Sequence, residues 1–253
     1  MKKVIFLLLF FVNLNAQNSI LNIGHRGAKG HVAENTIASI KKAIELGADG
    51  IEIDVFRCFT GEIVLFHDKT LENLTNGTGY IEEKSLSELK ELNILGSKHS
   101  IPTLDEVFKS IGKEVFLNIE LKGSNTSKGS LEIVNKYVKL GKINLSNILF
   151  SSFNWDELSK LRNLDSDVKI ALITEEDPLK AISPALTLNA IAINPNYANA
   201  YYNFGNIFKE LKDYQKAKNC YEKALKIDPL NKKSINIYFL KLVSKIFSDV
   251  FFK

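Results

Sequence analysis

The chain has 253 residues, of which 45% are apolar and 25% charged, and its formal net charge is +4 at pH 7. This is the composition of a globular protein, and the length allows one large core or a core with a small appendage. Charges of both signs are spread along the chain, so the composition predicts no general attraction to nucleic acid or to a membrane surface. The two cysteines, Cys58 and Cys220, do not make a disulfide framework, although an oxidising compartment would permit one bridge if they met.

The N-terminus has the pattern of a cleavable signal peptide. The basic segment 1–3 precedes an apolar run, Val4–Val12, that is shorter than a membrane span, and the small residue Ala16 stands before Gln17. We expect cleavage after Ala16, which removes residues 1–16 and makes the protein secreted or periplasmic. The alternative is an uncleaved membrane anchor.

Short apolar runs alternate with helical patterns along most of the chain. The runs predict seven strands: Leu21–Gly24, Gly50–Val55, Ile63–Asp68, Val115–Lys122, Ile148–Phe153, Val168–Ile173 and Ala190–Asn194. Helical spacing and capping residues predict helices at 35–46, 85–89, 130–140, 155–164 and 177–188, and one that begins at 103. This order predicts an α/β fold with a parallel sheet closed as a TIM-type (β/α) barrel that lacks the eighth strand.

Four of these strands carry polar side chains towards their C-terminal ends. They are, in chain order, His25 and Arg26, Glu52 and Asp54, His67, and Glu120 and Lys122. In a parallel barrel such ends converge on one rim, where active sites are built from several strands.

Glu52 and Asp54 occupy alternate positions of an apolar strand and therefore point to the same face. Ionised carboxylates that close together repel each other unless a cation lies between them or water solvates them. Taken alone, the pair also fits an edge strand with one wet face. The neighbouring polar strand ends favour a metal site.

The sequence resembles the glycerophosphodiester phosphodiesterases from about residue 20 to about residue 197. The matching residues are His25-Arg26-Gly27, Glu34-Asn35-Thr36, Glu52-x-Asp54-Val55, Gly61, His67-Asp68, Thr75-x-Gly77-Thr78-Gly79, Ile101-Pro102-Thr103-Leu104 and Glu120-Leu121-Lys122. They follow the order and approximate spacing of the family. The segment Cys58–Gly61 departs from the family's usual Thr-x-Asp-Gly, and we expect it to shape a turn without a chemical role.

The resemblance implies that Glu52, Asp54 and Glu120 are metal ligands. Carboxylates from two strands can hold Ca²⁺ or Mg²⁺ and leave positions open for substrate oxygens. Arg26 and Lys122 supply the cations that bind the substrate phosphate, Arg26 with the planar fork that suits a phosphate group.

His25 and His67 match the family's general acid and base, and an imidazole titrates near neutral pH. His31 and His99 match no motif, so we expect both on the surface. The implied reaction is metal-assisted cleavage of a glycerophosphodiester to glycerol 3-phosphate and an alcohol such as choline or ethanolamine. Attack by a glycerol hydroxyl, through a cyclic phosphate, and direct attack by water both stay open.

Residues 198–231 resemble one tetratricopeptide repeat. The signature positions are Ala198, Tyr201, Phe204, Gly205, Phe208, Ala217, Tyr221, Ala224 and Pro229. Pro195 and Pro229 are 34 residues apart, which is the period of that repeat. We expect a helical hairpin that offers a possible surface for a protein partner, followed by a capping helix within 232–253. A helix on a membrane surface is the alternative for this last segment.

The predicted barrel, residues 20–197, is therefore incomplete. The strands at 21–24 and 190–194 would border the gap with unpaired backbone groups. Unless the helices from Ala198 onward fill the gap, we expect marginal stability, association through these edges and weak activity. The alternative function is an inactive or weakly active truncated barrel that acts as a protein-binding module.

Overall fold

The computed structural model describes residues 21–175, 178–195 and 214–227. Its strands are β1 (Ile23–His25), β2 (Gly50–Arg57), β3 (Ile63–Leu65), β4 (Phe116–Leu121), β5 (Ile148–Ser152), β6 (Lys169–Thr174) and β7 (Ala192–Pro195). Its α-helices are α1 (Ile37–Glu45), α2 (Leu86–Glu91), α3 (Leu104–Ser110), α4 (Thr126–Lys139), α5 (Trp155–Leu164), α6 (Ile182–Thr187) and α7 (Tyr214–Ile227). Short 3₁₀ turns lie at Ile81–Glu83, Leu145–Asn147 and Pro178–Ala181. The seven predicted strands are all present.

Two short helices begin at capping boxes, as their sequences predict. Ser85 accepts a hydrogen bond from the Glu88 backbone N–H, and the Glu88 carboxylate accepts one from the Ser85 N–H at 2.8 Å. Thr103 and Glu106 repeat this arrangement, with 2.7 Å from the Thr103 N–H to the Glu106 carboxylate. These reciprocal bonds satisfy backbone donors that a helix start leaves unpaired, which explains why such short segments are helical.

The main sheet contains six parallel strands in the order β1-β2-β4-β5-β6-β7. It is a curled half-barrel covered by helices, in agreement with a TIM-type barrel fold. Within the described residues β1 and β7 are the two ends of this sheet, where the sequence predicts its edges.

The prediction that the third strand joins the parallel sheet is wrong. β3 runs antiparallel to β2, with Val55 opposite Leu65. The connection, residues 58–62, is long enough for a hairpin, whereas a parallel crossover needs about a dozen residues or more. The expected turn at Cys58–Gly61 is confirmed, because Gly61 lies in the left-handed region with φ of 105°.

The hairpin returns the chain to the middle of β2. The Phe66 N–H donates to the Asp54 carbonyl at 3.1 Å, so His67 follows at the level of the acidic residues. His67 therefore reaches the rim even though its strand runs against the others.

The two faces of the sheet differ in chemistry. Ile51, Ile53 and Val55 of β2 are fully buried in the main hydrophobic core between the sheet and the helices. Glu52 and Asp54 alternate with them and lie on the opposite, concave face. Burying each of these three side chains contributes about 2 kcal/mol, which fixes the register of β2 and the face that its acids take.

A second small core is formed by the end of β2, by β3 and by the segment that connects β3 to β4. It consists of Phe56, Cys58, Val64, Phe66, Leu71, Ile81, Leu89, Ile94 and Ile101. This cluster packs the insertion at 66–103 against the end of β2 and so places His67 beside the rim.

The C-terminal predictions fall mostly outside the described residues. Of the proposed repeat at 198–231 the structure describes α7, in which the signature residues Ala217 and Tyr221 are buried. The repeat itself stays a prediction, as do the signal peptide at 1–16 and the capping helix at 232–253, which lie outside the described residues.

Cys58 and Cys220 are both free thiols. Among the described helices none is long and apolar enough to cross a membrane.

Candidate active site

Three carboxylates meet on the concave face of the sheet. Asp54 of β2 is the direct partner of Glu120 of β4, and Glu52 lies two residues earlier on the same face. One oxygen from each residue can be chosen so that the three atoms lie within 4.8 Å of one another. All three residues are at most 9% exposed. The structure thus brings together the three acids that the sequence assigns to a metal.

Glu52 has one paired and one unpaired carboxylate oxygen. Oε2 accepts a hydrogen bond from the Arg26 backbone N–H at 2.9 Å, whereas Oε1 is buried and has no hydrogen-bond partner. Burial, together with the charge of Asp54, raises the pKa of Glu52 well above its usual range. A buried acceptor without a donor is unfavourable, and a bound cation would remove that cost.

Asp54 is oriented by Asn35, a residue that the sequence reasoning gave no role. The Asn35 amide donates to Asp54 Oδ2 at 2.9 Å, and its carbonyl oxygen accepts from the Asp54 N–H at 3.2 Å. Asn35 has a left-handed backbone with φ of 53°, which asparagine tolerates better than most residues. The sequence does contain a signal for a role of Asn35, because this residue stands next to Glu34 in one of the matching family motifs.

Glu120 is paired with Lys122 from the same strand end. Lys122 Nζ donates to Glu120 Oε1 at 3.1 Å and lies 3.7 Å from Asp54 Oδ1. Burial and the Asp54 charge raise the pKa of Glu120, and Lys122 opposes them only in part. Lys122 Nζ therefore lies between two of the three acids.

Arg26 is also held by carboxylates. Its Nη1 donates to Glu34 at 2.7 Å and its Nε lies 3.3 Å from Asp54 Oδ2. The backbone of Arg26 is left-handed, with φ of 55°, and that of the next residue, Gly27, is also left-handed, with φ of 77°. Gly27 packs closely against Ser39, because a Cβ on Gly27 would lie only 2.5 Å from Ser39 Oγ. This tight turn directs the guanidinium back over the acidic cluster.

The charges of the site do not balance without a cation. The acidic cluster and the ion pairs of its two bases comprise four carboxylates and two cations: Glu34, Glu52, Asp54, Glu120, Arg26 and Lys122. When all are ionised, two negative charges are in excess. The donors of the cluster are oxygens only, which suits the hard cations Ca²⁺ and Mg²⁺. The charge excess and the unpaired Glu52 Oε1 show that the residues present fit such an ion.

His25 ends β1 directly opposite Glu52. Its ring is 57% exposed, and Nε2 lies 3.8 Å from Glu52 Oε2. Partial burial and the cations Arg26 and Lys29 lower the pKa of His25 to about 4. The imidazole is therefore neutral at pH 7 and able to accept a proton.

His67 forms a pair with Asp68, another residue without a predicted role. Nδ1 of His67 lies 2.6 Å from Asp68 Oδ1, and Asn73 donates to Asp68 Oδ2 at 3.2 Å. These hydrogen bonds outweigh the effect of burial and lower the pKa of Asp68. An ionised Asp68 accepts the Nδ1 proton, which leaves Nε2 of His67 as the nitrogen available for proton transfer.

Two further acids fix the loop that follows Lys122. Glu82, from the insertion, accepts from the Ser124 N–H at 2.9 Å. Glu157, from α5, accepts from the N–H groups of Asn125 and Ser127 at 2.9 and 3.0 Å. The N-terminus of α4 is thus capped by a carboxylate of another helix. Glu157 lies on the buried face of α5, and the sequence predicts no role for it.

The other two histidines, His31 and His99, are exposed, as predicted. Thus the structure gathers His25, His67 and the acids at one rim, with both predicted phosphate-binding cations beside them, and keeps the unassigned histidines outside it.

The chain is similar to known phosphodiesterases in sequence and in structure. The glycerophosphoryl diester phosphodiesterase family profile matches residues 25–234. A glycerophosphodiester phosphodiesterase of Caldanaerobacter subterraneus subsp. tengcongensis is 38% identical over 188 residues, which cover 71% of this chain and 76% of that protein.

A structure of an Oleispira antarctica phosphodiesterase, in complex with the product sn-glycerol-3-phosphate, is 25% identical with a TM-score of 0.65. That likeness covers 83% of this chain and 90% of the other. A glycerophosphodiester phosphodiesterase structure from Thermotoga maritima is also 25% identical, with a TM-score of 0.56 over 82% of this chain and 81% of the other. The chain belongs to the glycerophosphoryl diester phosphodiesterase family.

Proposed function

We propose that this protein hydrolyses glycerophosphodiesters to glycerol 3-phosphate and an alcohol with the help of Ca²⁺ or Mg²⁺. The observation that carries the proposal is the convergence of three buried carboxylates, two histidines and two basic side chains on one rim. Membership of the family and the relative solved with glycerol 3-phosphate support it.

Glu52, Asp54 and Glu120 would hold the cation. When bound, the cation neutralises charge on the phosphate oxygens of the substrate. Lys122 Nζ and the Arg26 guanidinium already lie at these acids, so both can turn their remaining donors towards a phosphate that arrives beside them. Their present partners keep them in place until then.

The two histidines divide the proton transfers. His25 is neutral at pH 7 and accepts the proton of the attacking hydroxyl. In its protonated form His67, which the bond from Nδ1 to Asp68 orients, donates a proton from Nε2 to the leaving oxygen. The attacking group is either water or the free glycerol hydroxyl of the substrate, and the second route passes through a cyclic phosphate that trapping experiments detect.

The purified protein should release glycerol 3-phosphate from glycerophosphocholine when Ca²⁺ or Mg²⁺ is present. Asp54→Asn should abolish most of this release, because Asp54 contacts both basic residues and belongs to the cation cluster. A control change in the exposed His31 should leave the rate unchanged. Absence of product from the native protein with either ion would refute the proposed function.

We also propose secretion or export through the segment 1–16, which N-terminal sequencing of the mature protein tests. A protein partner at the predicted hairpin, 198–231, stays a separate prediction. One repeat is a small surface, since such hairpins bind peptides mostly as arrays. The alternative of a truncated barrel that only binds proteins would be favoured by a folded protein without hydrolytic activity.

A further inference from the structure

The concave face holds a second unpaired oxygen beside the acidic cluster. Asn118 of β4 is the direct partner of Glu52 of β2 in the parallel register. Paired residues on neighbouring strands project to the same face of a sheet. Asn118 Oδ1 is buried and has no hydrogen-bond partner, and neither has Glu52 Oε1.

Two neighbouring buried acceptors without a donor are unfavourable unless something positive lies near both. The basic groups of the site do not fill this place. Lys122 contacts Glu120 and Asp54, and the Arg26 side chain contacts Glu34 and Asp54. His25 Nε2 lies 3.8 Å from Glu52 Oε2, beyond hydrogen-bond distance. A structural asparagine would be expected to use its carbonyl oxygen as an acceptor. The unpaired oxygen of Asn118 therefore points to a ligand.

We propose that Asn118 provides a further oxygen, Oδ1, to the cation held by Glu52, Asp54 and Glu120. This inference rests on the proposed function, since the cation is part of it. An amide oxygen is a common ligand of Ca²⁺, and it adds no charge to a cluster that already has two negative charges in excess. A neutral ligand keeps the empty cluster from becoming still more self-repulsive.

Calcium and magnesium titrations of the whole protein, followed by calorimetry, test this role directly. Asn118→Leu keeps a similar volume and removes the oxygen. It should weaken cation binding about tenfold or more, because the loss of even an outer-shell partner of a metal site typically costs about 10–100-fold in affinity. The metal-free protein should melt at the same temperature or higher, because an unpaired buried acceptor has been removed.

Asn118→Asp should change both the cation affinity and the melting temperature in the direction opposite to Asn118→Leu. A fourth carboxylate should strengthen cation binding and lower the melting temperature of the metal-free protein, since like charges are added. Ser130→Ala is the matched control. Ser130 Oγ is also buried and unpaired, but it lies on α4, so this change should not alter cation affinity.

Two results would overturn the inference. One is cation binding by the native protein with equal affinity in Asn118→Leu, which overturns the role of Asn118 alone; a lower melting temperature of the metal-free variant would then show a structural role. The other, no cation binding by the native protein, also refutes the metal part of the proposed function.

Discussion

The capping of α4 by Glu157 yields a quantitative prediction. The Glu157 carboxylate is 1% exposed and accepts from the N–H of Asn125, the N–H of Ser127 and the side chain of Lys160. Truncation in Glu157→Ala leaves the buried Ser127 N–H without a partner. That costs about 1–3 kcal/mol, and loss of a helix cap typically costs about 1 kcal/mol, with overlap between the two terms. We expect a loss of about 2 kcal/mol in the free energy of unfolding.

Urea denaturation followed by circular dichroism measures this loss. Glu157→Gln keeps an oxygen acceptor and should cost only about 1 kcal/mol. Lys160→Ala is the control, since Lys160 is 53% exposed and its ion pair contributes less than about 1 kcal/mol. The reasoning is refuted if Glu157→Ala unfolds within about 0.5 kcal/mol of the native protein, the usual range for surface changes.

Three further predictions concern catalysis, pH and local opening. His25→Ala and His67→Ala should each lower turnover about 100-fold without unfolding the protein, whereas His31→Ala should leave it unchanged; native turnover in either of the first two refutes that residue's role. Hydrogen bonds from Lys109, Lys136 and Tyr137 lower the pKa of Asp105 to about 2, so Asp105→Asn should cost about 1 kcal/mol at pH 7. Because the folded pKa is depressed, this difference should be complete above about pH 4 and disappear as the pH falls through about 2; a loss that persists at pH 2 contradicts the ion pairs. Amides of β1 and β7 should exchange with solvent faster than those of the central β4, and equal strong protection in a monomer would show that the barrel is closed.

The acidic cluster could be predicted because it depends on short-range rules. Alternation within β2 places Glu52 and Asp54 on one face, and the parallel register of β2 with β4 then places Asp54 opposite Glu120. The alternation of side chains along a strand and the position of the acids near strand ends are enough to predict that these carboxylates lie together.

The direction of β3 was mispredicted although its signal was present. Five residues, 58–62, separate it from β2, and that length favours a hairpin. The repeated pattern of polar strand ends points the other way, to a parallel strand. His67 still reaches the site, because the hairpin turns the chain back to Asp54.

The supporting residues were harder to predict because their partners are distant in sequence. Asn35 bonds Asp54 across 19 positions, and Glu157 bonds Asn125 across 32. An acid in the first turn of a helix is ordinarily explained by the helix dipole, as Glu157 would be in α5. Only the packing of α5 against α4 shows that its carboxylate caps the neighbouring helix.

Removal and return of the cation test the central claim most directly. The protein should release glycerol 3-phosphate from glycerophosphocholine with Ca²⁺ or Mg²⁺, lose that activity in excess chelator, and regain it when the ion is restored. The variant Glu120→Gln should stay inactive throughout, because it removes one of the three clustered carboxylates. Full activity in excess chelator would contradict the account.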